Sequence, residues 1–137
     1  MGELRMITET GMFHSACKAT VGGTSNWYGF KPRAHGRPMG PGFVDTSDRT
    51  AEEKYWATFS IDDVVLSRAI ARVVPAYAHA YYTVTVQDCV SFTAAIARAA
   101  GMTLPDANIT PYGFLEFLCL YNTPTARGRA ASSAGRF

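Results

Sequence analysis

The stretch Tyr82–Pro105, YTVTVQDCVSFTAAIARAAGMTLP, joins a β-like run to a helix-like run and places a cysteine at the junction. The run YTVTV is rich in β-branched residues and favours a short extended segment. The run that follows carries apolar residues at helical spacing, and Gly101 is a natural stop for it. With Asp88 as its N-cap, the segment predicts a core-facing helix whose first residue is Cys89.

Three runs upstream of this stretch predict antiparallel strands. Residues 10–21 and 24–32 flank the pair Gly22-Gly23, and two glycines between β-forming runs are typical of a tight hairpin turn. The run EKYWATFSI, residues 53–61, alternates along its length as a third strand does. Residues 33–50 are rich in proline and glycine, so they predict a long loop.

Two further segments predict helices. The run SIDDVVLSRAIARVV, residues 60–74, begins with capping residues, repeats apolar residues near helical spacing and meets Pro75, which ends or kinks a helix. A last helix is predicted from Pro111, with Thr110 as its N-cap. The sequence therefore predicts an α+β fold in which a small antiparallel sheet packs against two or three helices.

The length of 137 residues fits one domain. Residues 1–122 contain all the predicted elements and form that single domain. Residues 123–137 are small, polar and dotted with arginines, without an apolar period. They predict a flexible C-terminal tail.

Composition excludes several classes of partner. A formal net charge of +2 with scattered arginines argues against nucleic acid. No apolar run approaches the roughly 20 residues that span a bilayer, so stable membrane insertion is not expected. The start, MGELRMITET, lacks the apolar region of a general secretory signal, which predicts a cytoplasmic protein or one exported by a dedicated secretion system. Three cysteines without such a signal indicate reduced thiols.

Cys89 lies where a cysteine can become a nucleophile. The unpaired amides and the dipole at a helix N-terminus favour the thiolate and lower its pKa. Of the three histidines that could serve as its base, His35 lies in the predicted loop and His79 in the run YAHAYY. His14 lies in a predicted strand, which can hold an imidazole rigidly against a helix packed on the sheet. Cys89 and His14 are therefore the candidate catalytic pair.

Several short motifs accompany this pair. His14 is followed by YGFKP at residues 28–32, by CVSF at residues 89–92 and by AAGMTLP at residues 99–105. This combination resembles the circularly permuted branch of the NlpC-like, papain-fold cysteine hydrolases, in which the histidine strand precedes the cysteine helix. The resemblance covers roughly residues 10–120. It implies a papain-like version of the α+β fold.

The resemblance also implies a function. Cys89 attacks a carbonyl, His14 holds it as a thiolate and protonates the leaving group, and the acyl-enzyme passes to water or another acceptor. Relatives of this kind often act on cell-wall peptides or serve as delivered toxins in bacteria, which implies a peptide or peptidoglycan-like substrate. It makes an immunity or inhibitor protein a candidate partner. No cofactor is implied.

A third polar residue usually orients the histidine in such families, and its identity stays open. A three-residue turn in the first hairpin would bring Asn26 and Tyr28 to the face of His14. A two-residue turn would instead bring four other residues there: Ser25, Trp27, Gly29 and Lys31. Gln87 is a candidate oxyanion donor if the loop turns it inward, and the backbone amide of Cys89 is another.

Other interpretations compete with catalysis. Taken alone, a cysteine that begins an apolar helix is more often a small buried residue. Cys17 and Cys119 are expected to be structural, and a zinc site built from His14, Cys17 and Cys89 lacks the closely paired ligands of structural zinc sites. Two functions remain beside the peptidase or amidase. These are an acyltransferase or lipid hydrolase of the lecithin:retinol acyltransferase type, and a non-catalytic binding module on the same fold.

Overall fold

The computed structural model describes residues 1–10, 14–106 and 109–130. Within them the chain forms an α+β fold with one seven-stranded antiparallel sheet and three α-helices, which confirms the predicted class but enlarges the predicted sheet. The strands are β1 (Gly2–Glu9), β2 (Ser15–Val21), β3 (Thr24–Pro32), β4 (Met39–Asp45), β5 (Glu53–Ile61), β6 (Tyr81–Thr83) and β7 (Ala126–Arg129). The helices are α1 (Asp63–Tyr77), α2 (Cys89–Ala99) and α3 (Pro111–Tyr121).

The strands lie in the order β6-β4-β3-β2-β1-β5-β7. β1 lies between β2 and β5 and was not predicted; it pairs with β5 from Gly2 to Glu9 and with β2 from Glu3 to Thr8. β4 lies inside residues 33–50, which were predicted to be a loop. β7 lies inside the predicted flexible tail, where it pairs with β5, while residues 131–137 lie outside the described residues.

The β2–β3 hairpin settles which residues share a face of the sheet. Gly22 and Gly23 adopt positive φ angles of 58° and 83°, and Val21 pairs directly with Thr24. The turn therefore has two residues. This register places Asn26 and Tyr28 opposite Ala19 and Cys17.

The two faces of the sheet bury different residues. The helix face contributes a cluster that packs with residues of all three helices, among them Leu66, Phe92, Ile96, Phe114 and Leu118. Its sheet residues include Leu4, Met6, Cys17, Ala19, Phe30 and Phe59. The second face buries a smaller cluster of Ile7, Ala16 and Trp27. Cys17 thus lies in the main core, as predicted for a structural cysteine.

The helix ends follow their capping signals. Asp62 caps α1 by accepting hydrogen bonds from the backbone amides of Val64 and Val65. Pro75 does not end α1, because it lies in the last turn and the helix continues to Tyr77. Thr110 caps α3 as predicted. None of the helices in the described ranges is long and apolar enough to cross a bilayer.

Gly42 offers a direct test of the packing between the sheet and Phe30. A Cβ at Gly42 would lie 2.5 Å from the ring of Phe30, whose side chain is fully buried, and 2.9 Å from the carbonyl oxygen of Ala80. We expect Gly42→Ala to lower the free energy of unfolding by about 1–3 kcal/mol, measured by urea denaturation, because overpacking forces the ring or the backbone to shift.

The Phe30→Leu background is the matched control for Gly42→Ala. Because leucine leaves room for the added methyl group, the cost of Gly42→Ala should shrink there. Equal costs in the two backgrounds would show that the ring of Phe30 is not the obstacle.

Candidate functional site

Asp88 shapes the loop that leads into α2. Its side chain accepts hydrogen bonds from the backbone amides of Val90 and Ser91, each at 3.1 Å. The hydroxyl of Ser91 in turn accepts from the Asp88 amide at 2.6 Å, which completes a capping box. The other carboxylate oxygen accepts from the Thr85 amide at 2.9 Å. As predicted, Cys89 is therefore the first residue of a capped helix.

Two hydroxyl groups hold the start of α2 against β2. The side chains of Ser15 and Thr93 hydrogen bond to each other at 2.9 Å in the interior. The Thr93 hydroxyl also lies 3.1 Å from the Cys89 carbonyl oxygen, which can accept its hydrogen. This pair ties the first turn of α2 to the first residue of β2.

The Cys89 thiol is buried, with only 4% of the residue exposed. Burial raises its pKa to about 11, although hydrogen bonds from the backbone of Ser15, the Tyr82 hydroxyl and the backbone of Val90 oppose the rise. Desolvation thus outweighs the lowering of the thiol pKa that is expected at a helix N-terminus. In the resting protein Cys89 is a neutral thiol.

His14 directly precedes β2, and its ring lies on the second face of the sheet. A Cβ at Gly29, which pairs with Ala16, would lie only 3.0 Å from His14 Nε2, so the ring occupies space that glycine leaves free. The nearest acid is Glu9, whose Oε2 lies 3.5 Å from Nε2. His14 is 4% exposed, and within the described residues its Nε2 has no hydrogen-bond partner.

Glu9 belongs to a network of charges beside His14. Its carboxylate accepts two hydrogen bonds from the Arg49 guanidinium, at 2.7 and 3.2 Å, and its side chain is 1% exposed. Lys31 donates to Asp45 at 2.7 Å on the neighbouring strands. Burial, followed by the positive charges of Lys31 and Arg49, lowers the pKa of His14 to about 3. The imidazole is therefore neutral at physiological pH.

The two candidate catalytic residues line different cavities. The His14 cavity, of about 450 Å³, is bordered by β3, β4 and the loop between them. The Cys89 cavity, of about 490 Å³, has a mainly apolar lining that includes Val90, Ile109 and Pro111. Tyr82 and Val84 line both cavities. Among the described contacts, His14 and Cys89 do not hydrogen bond to each other.

The other predicted site residues lie elsewhere. The amide nitrogen of Gln87 donates to the Tyr81 carbonyl at 2.6 Å, which holds this side chain along β6. Asn26 and Tyr28 share the face of Cys17, whereas the ring of His14 lies on the second face. The two-residue turn thus selects the other register considered from the sequence.

Sequence reasoning missed two residues that contact the candidate pair. Glu9 lies beside His14 at the end of β1, a strand that was not predicted, and Tyr82 donates to the Cys89 sulfur. The sequence marks Glu9 only weakly, as an acidic residue at the end of a run in which polar and apolar residues alternate. In the described part of the chain, no cluster of three or more histidine, cysteine or acidic residues could hold a metal ion.

No protein-family model, curated protein or solved structure matches this chain. Its site must therefore be interpreted from its own geometry and chemistry.

Thr85 has a strained backbone next to this site. Its φ of 69° lies in the left-handed region, where a β-branched residue is an outlier. The residue lines the Cys89 cavity, and its amide donates to Asp88. The loop that precedes the cysteine is thus held in its conformation by the cap of α2.

Relieving this strain should stabilise the protein. We expect Thr85→Gly to raise the free energy of unfolding by about 1 kcal/mol, because glycine adopts a positive φ without steric cost. Thr85→Ala is the control, because alanine keeps a Cβ and should bring a smaller gain. Equal stabilities for the two variants in urea denaturation would show that Thr85 is unstrained.

The raised pKa of Cys89 predicts how the resting thiol reacts. Because the thiolate forms only near pH 11, alkylation by iodoacetamide at pH 7 should be slower than that of glutathione and should accelerate through pH 9 to 11. The rate at each cysteine is measured by peptide mass spectrometry in short pulses. An apparent pKa for Cys89 below that of a free cysteine, about 8.5, would contradict the buried neutral thiol.

Proposed function

We propose that this protein is a cysteine hydrolase that cleaves amide bonds, with Cys89 as its nucleophile and His14 as its general base. The observation that carries the proposal is the position of the Cys89 sulfur. It lies at the first residue of α2, within reach of the Ser15 and Val90 backbones, and it borders a cavity of about 490 Å³. This order of strand histidine and helix cysteine also underlies the resemblance to the permuted NlpC-like hydrolases.

The reaction proceeds through a thioester. His14 takes the thiol proton as the Cys89 sulfur bonds to the substrate carbonyl, and the Cys89 amide donates to the oxyanion. The imidazolium then gives its proton to the leaving amine as the amide bond breaks. Water attacks the thioester with His14 as base, which releases the acid and restores the thiol.

This mechanism requires the ring of His14 to move away from Glu9 and next to the Cys89 sulfur when substrate binds. The Cys89 sulfur lies close to the start of β2, because it accepts a hydrogen bond from the backbone of Ser15, the residue that follows His14. The movement breaks no hydrogen bond of His14 Nε2 within the described residues. Glu9 keeps its two bonds to Arg49. A thiolate close to the ring would favour the imidazolium and raise the pKa of His14.

The substrate we propose is a peptide or a peptidoglycan-like amide. Hydrolysis of cell-wall peptides suits either a bacterial cell-wall amidase or a delivered toxin domain, and a toxin would have an immunity or inhibitor protein as its partner. Both roles use the same chemistry at Cys89.

A second candidate function is supported by the lining of the Cys89 cavity. Val84, Val90, Ile109 and Pro111 give it an apolar character that suits a fatty acyl chain. The same thioester chemistry on a lipid ester would make the protein a lipid hydrolase or an acyltransferase. The two candidates differ in the bond that is cleaved and share the nucleophile.

Acylation of Cys89 tests the proposal without knowledge of the natural substrate. We expect p-nitrophenyl acetate to give a burst of p-nitrophenol and a mass increase of one acetyl group on Cys89, detected by intact and peptide mass spectrometry. Cys89→Ala should abolish both signals. The matched control is Cys119→Ala, which removes a partly buried cysteine of α3 and should keep them.

The role of His14 is tested in the same assay. His14→Ala should slow acylation by roughly 10²- to 10⁴-fold, the usual contribution of a general base. His79→Ala, at an exposed position, should leave the rate unchanged. Muropeptide digestion and phospholipid hydrolysis, each with the Cys89→Ala control, then distinguish amide from lipid substrates. Acylation of Cys89 no faster than that of Cys119 would exclude the enzyme and leave the non-catalytic binding module.

A further inference from the structure

We propose that the His14 cavity binds the anionic group of a small organic ligand, a carboxylate or a phosphate. This is a binding function, and it does not depend on hydrolysis at Cys89. Three observations carry it: the charges that line the cavity, an unpartnered nitrogen on one of the lining residues, and the size of the cavity.

The charges that line the cavity are mostly positive. Lys31, Arg33 and Arg37 contribute three permanent cations, whereas Asp45 is the one carboxylate in the lining. Asp45 is already paired with Lys31. In the described part of the chain, neither Arg33 nor Arg37 forms an ion pair, so both guanidinium groups are available to a ligand. Guanidinium groups bind carboxylates and phosphates through paired hydrogen bonds.

One of the residues that line the cavity also carries an unpartnered polar atom. His14 Nε2 is buried and lacks a hydrogen-bond partner within the described residues, and buried polar atoms without partners are rare in folded proteins. An oxygen of an anion accepts a hydrogen bond from the Nε2–H tautomer. A ligand anion that reaches this nitrogen would therefore supply the hydrogen-bond partner that it lacks among the described residues.

The cavity is larger than a bare ion needs. Its volume of about 450 Å³ is within the range of small-molecule pockets, and Phe43, Tyr82 and Val84 add apolar surface to the charged lining. The ring of Phe43 lies under the Arg33 guanidinium at 5.7 Å. These surfaces fit a ligand in which the anionic group is attached to an apolar body.

Titration with simple anions tests the site. Inorganic phosphate and N-acetylglycine, as the carboxylate, are added to the ¹⁵N-labelled protein at constant ionic strength, and amide and imidazole signals are followed by NMR. We expect saturable shifts at Lys31, Arg33 and His14 for at least one anion. The anion that binds more tightly shows whether the site prefers a phosphate or a carboxylate group.

Charge-removing variants separate a specific site from general attraction. Arg33→Gln removes an exposed side chain without disturbing the core, and it should weaken the tighter anion roughly tenfold, the loss of about one charge-assisted hydrogen bond. Arg68→Gln removes the same charge from the exposed surface of α1 and should leave the affinity unchanged. Failure of both anions to saturate, or equal weakening by the two variants, would overturn the proposal.

The acylation assay keeps this proposal separate from the proposed function. If Cys89 is acylated but no anion binds, the hydrolase stands and the anion site fails. If anions saturate the His14 cavity but Cys89 is not acylated, the anion site stands without the hydrolase.

Discussion

The site depends on one contact, the docking of the first turn of α2 on the first residue of β2. The hydroxyl groups of Ser15 and Thr93 meet in the interior, and the Ser15 backbone reaches the Cys89 sulfur. Since the side chains of a strand alternate between its faces, this contact fixes Cys89 on the helix face and turns the preceding residue, His14, to the second face. The same docking buries the thiol, so desolvation sets its pKa.

Burial keeps both groups neutral, and the positive charges of Lys31 and Arg49 add to its effect on the pKa of His14. The Cys89 thiol lies in a mostly apolar environment, while His14 lies beside Glu9, Arg49 and Lys31. The two groups line different cavities, which share Tyr82 and Val84. The proposed chemistry at Cys89 would require the ring of His14 to move from the second face of the sheet to the helix face.

Local signals in the sequence were enough to predict the elements whose ends carry clear turn or capping residues. The Gly22-Gly23 turn, the Asp88 cap and the Thr110-Pro111 start all define their elements in the structure. β1 was missed, although Glu3 and Arg5 alternate with Leu4 and Met6 as the residues of a half-buried strand do. β4 was missed because its run MGPGFVD contains proline and two glycines, and β7 because its four residues, ARGR, form a strand only through pairing with β5. The acid nearest to His14 could not be predicted either, since Glu9 approaches it only through the pairing of β1 with β2.

The pairing of Cys89 with His14 is tested most directly by the distance between the Cys89 sulfur and His14 Nε2 in a crystal structure of the Cys89 acyl-enzyme. We expect acylation to bring the ring of His14 to the helix face, with Nε2 about 3 Å from the thioester or from a water molecule poised to attack it. A ring that remains beside Glu9 and Gly29 in the acylated protein would contradict the proposed pairing of Cys89 with His14.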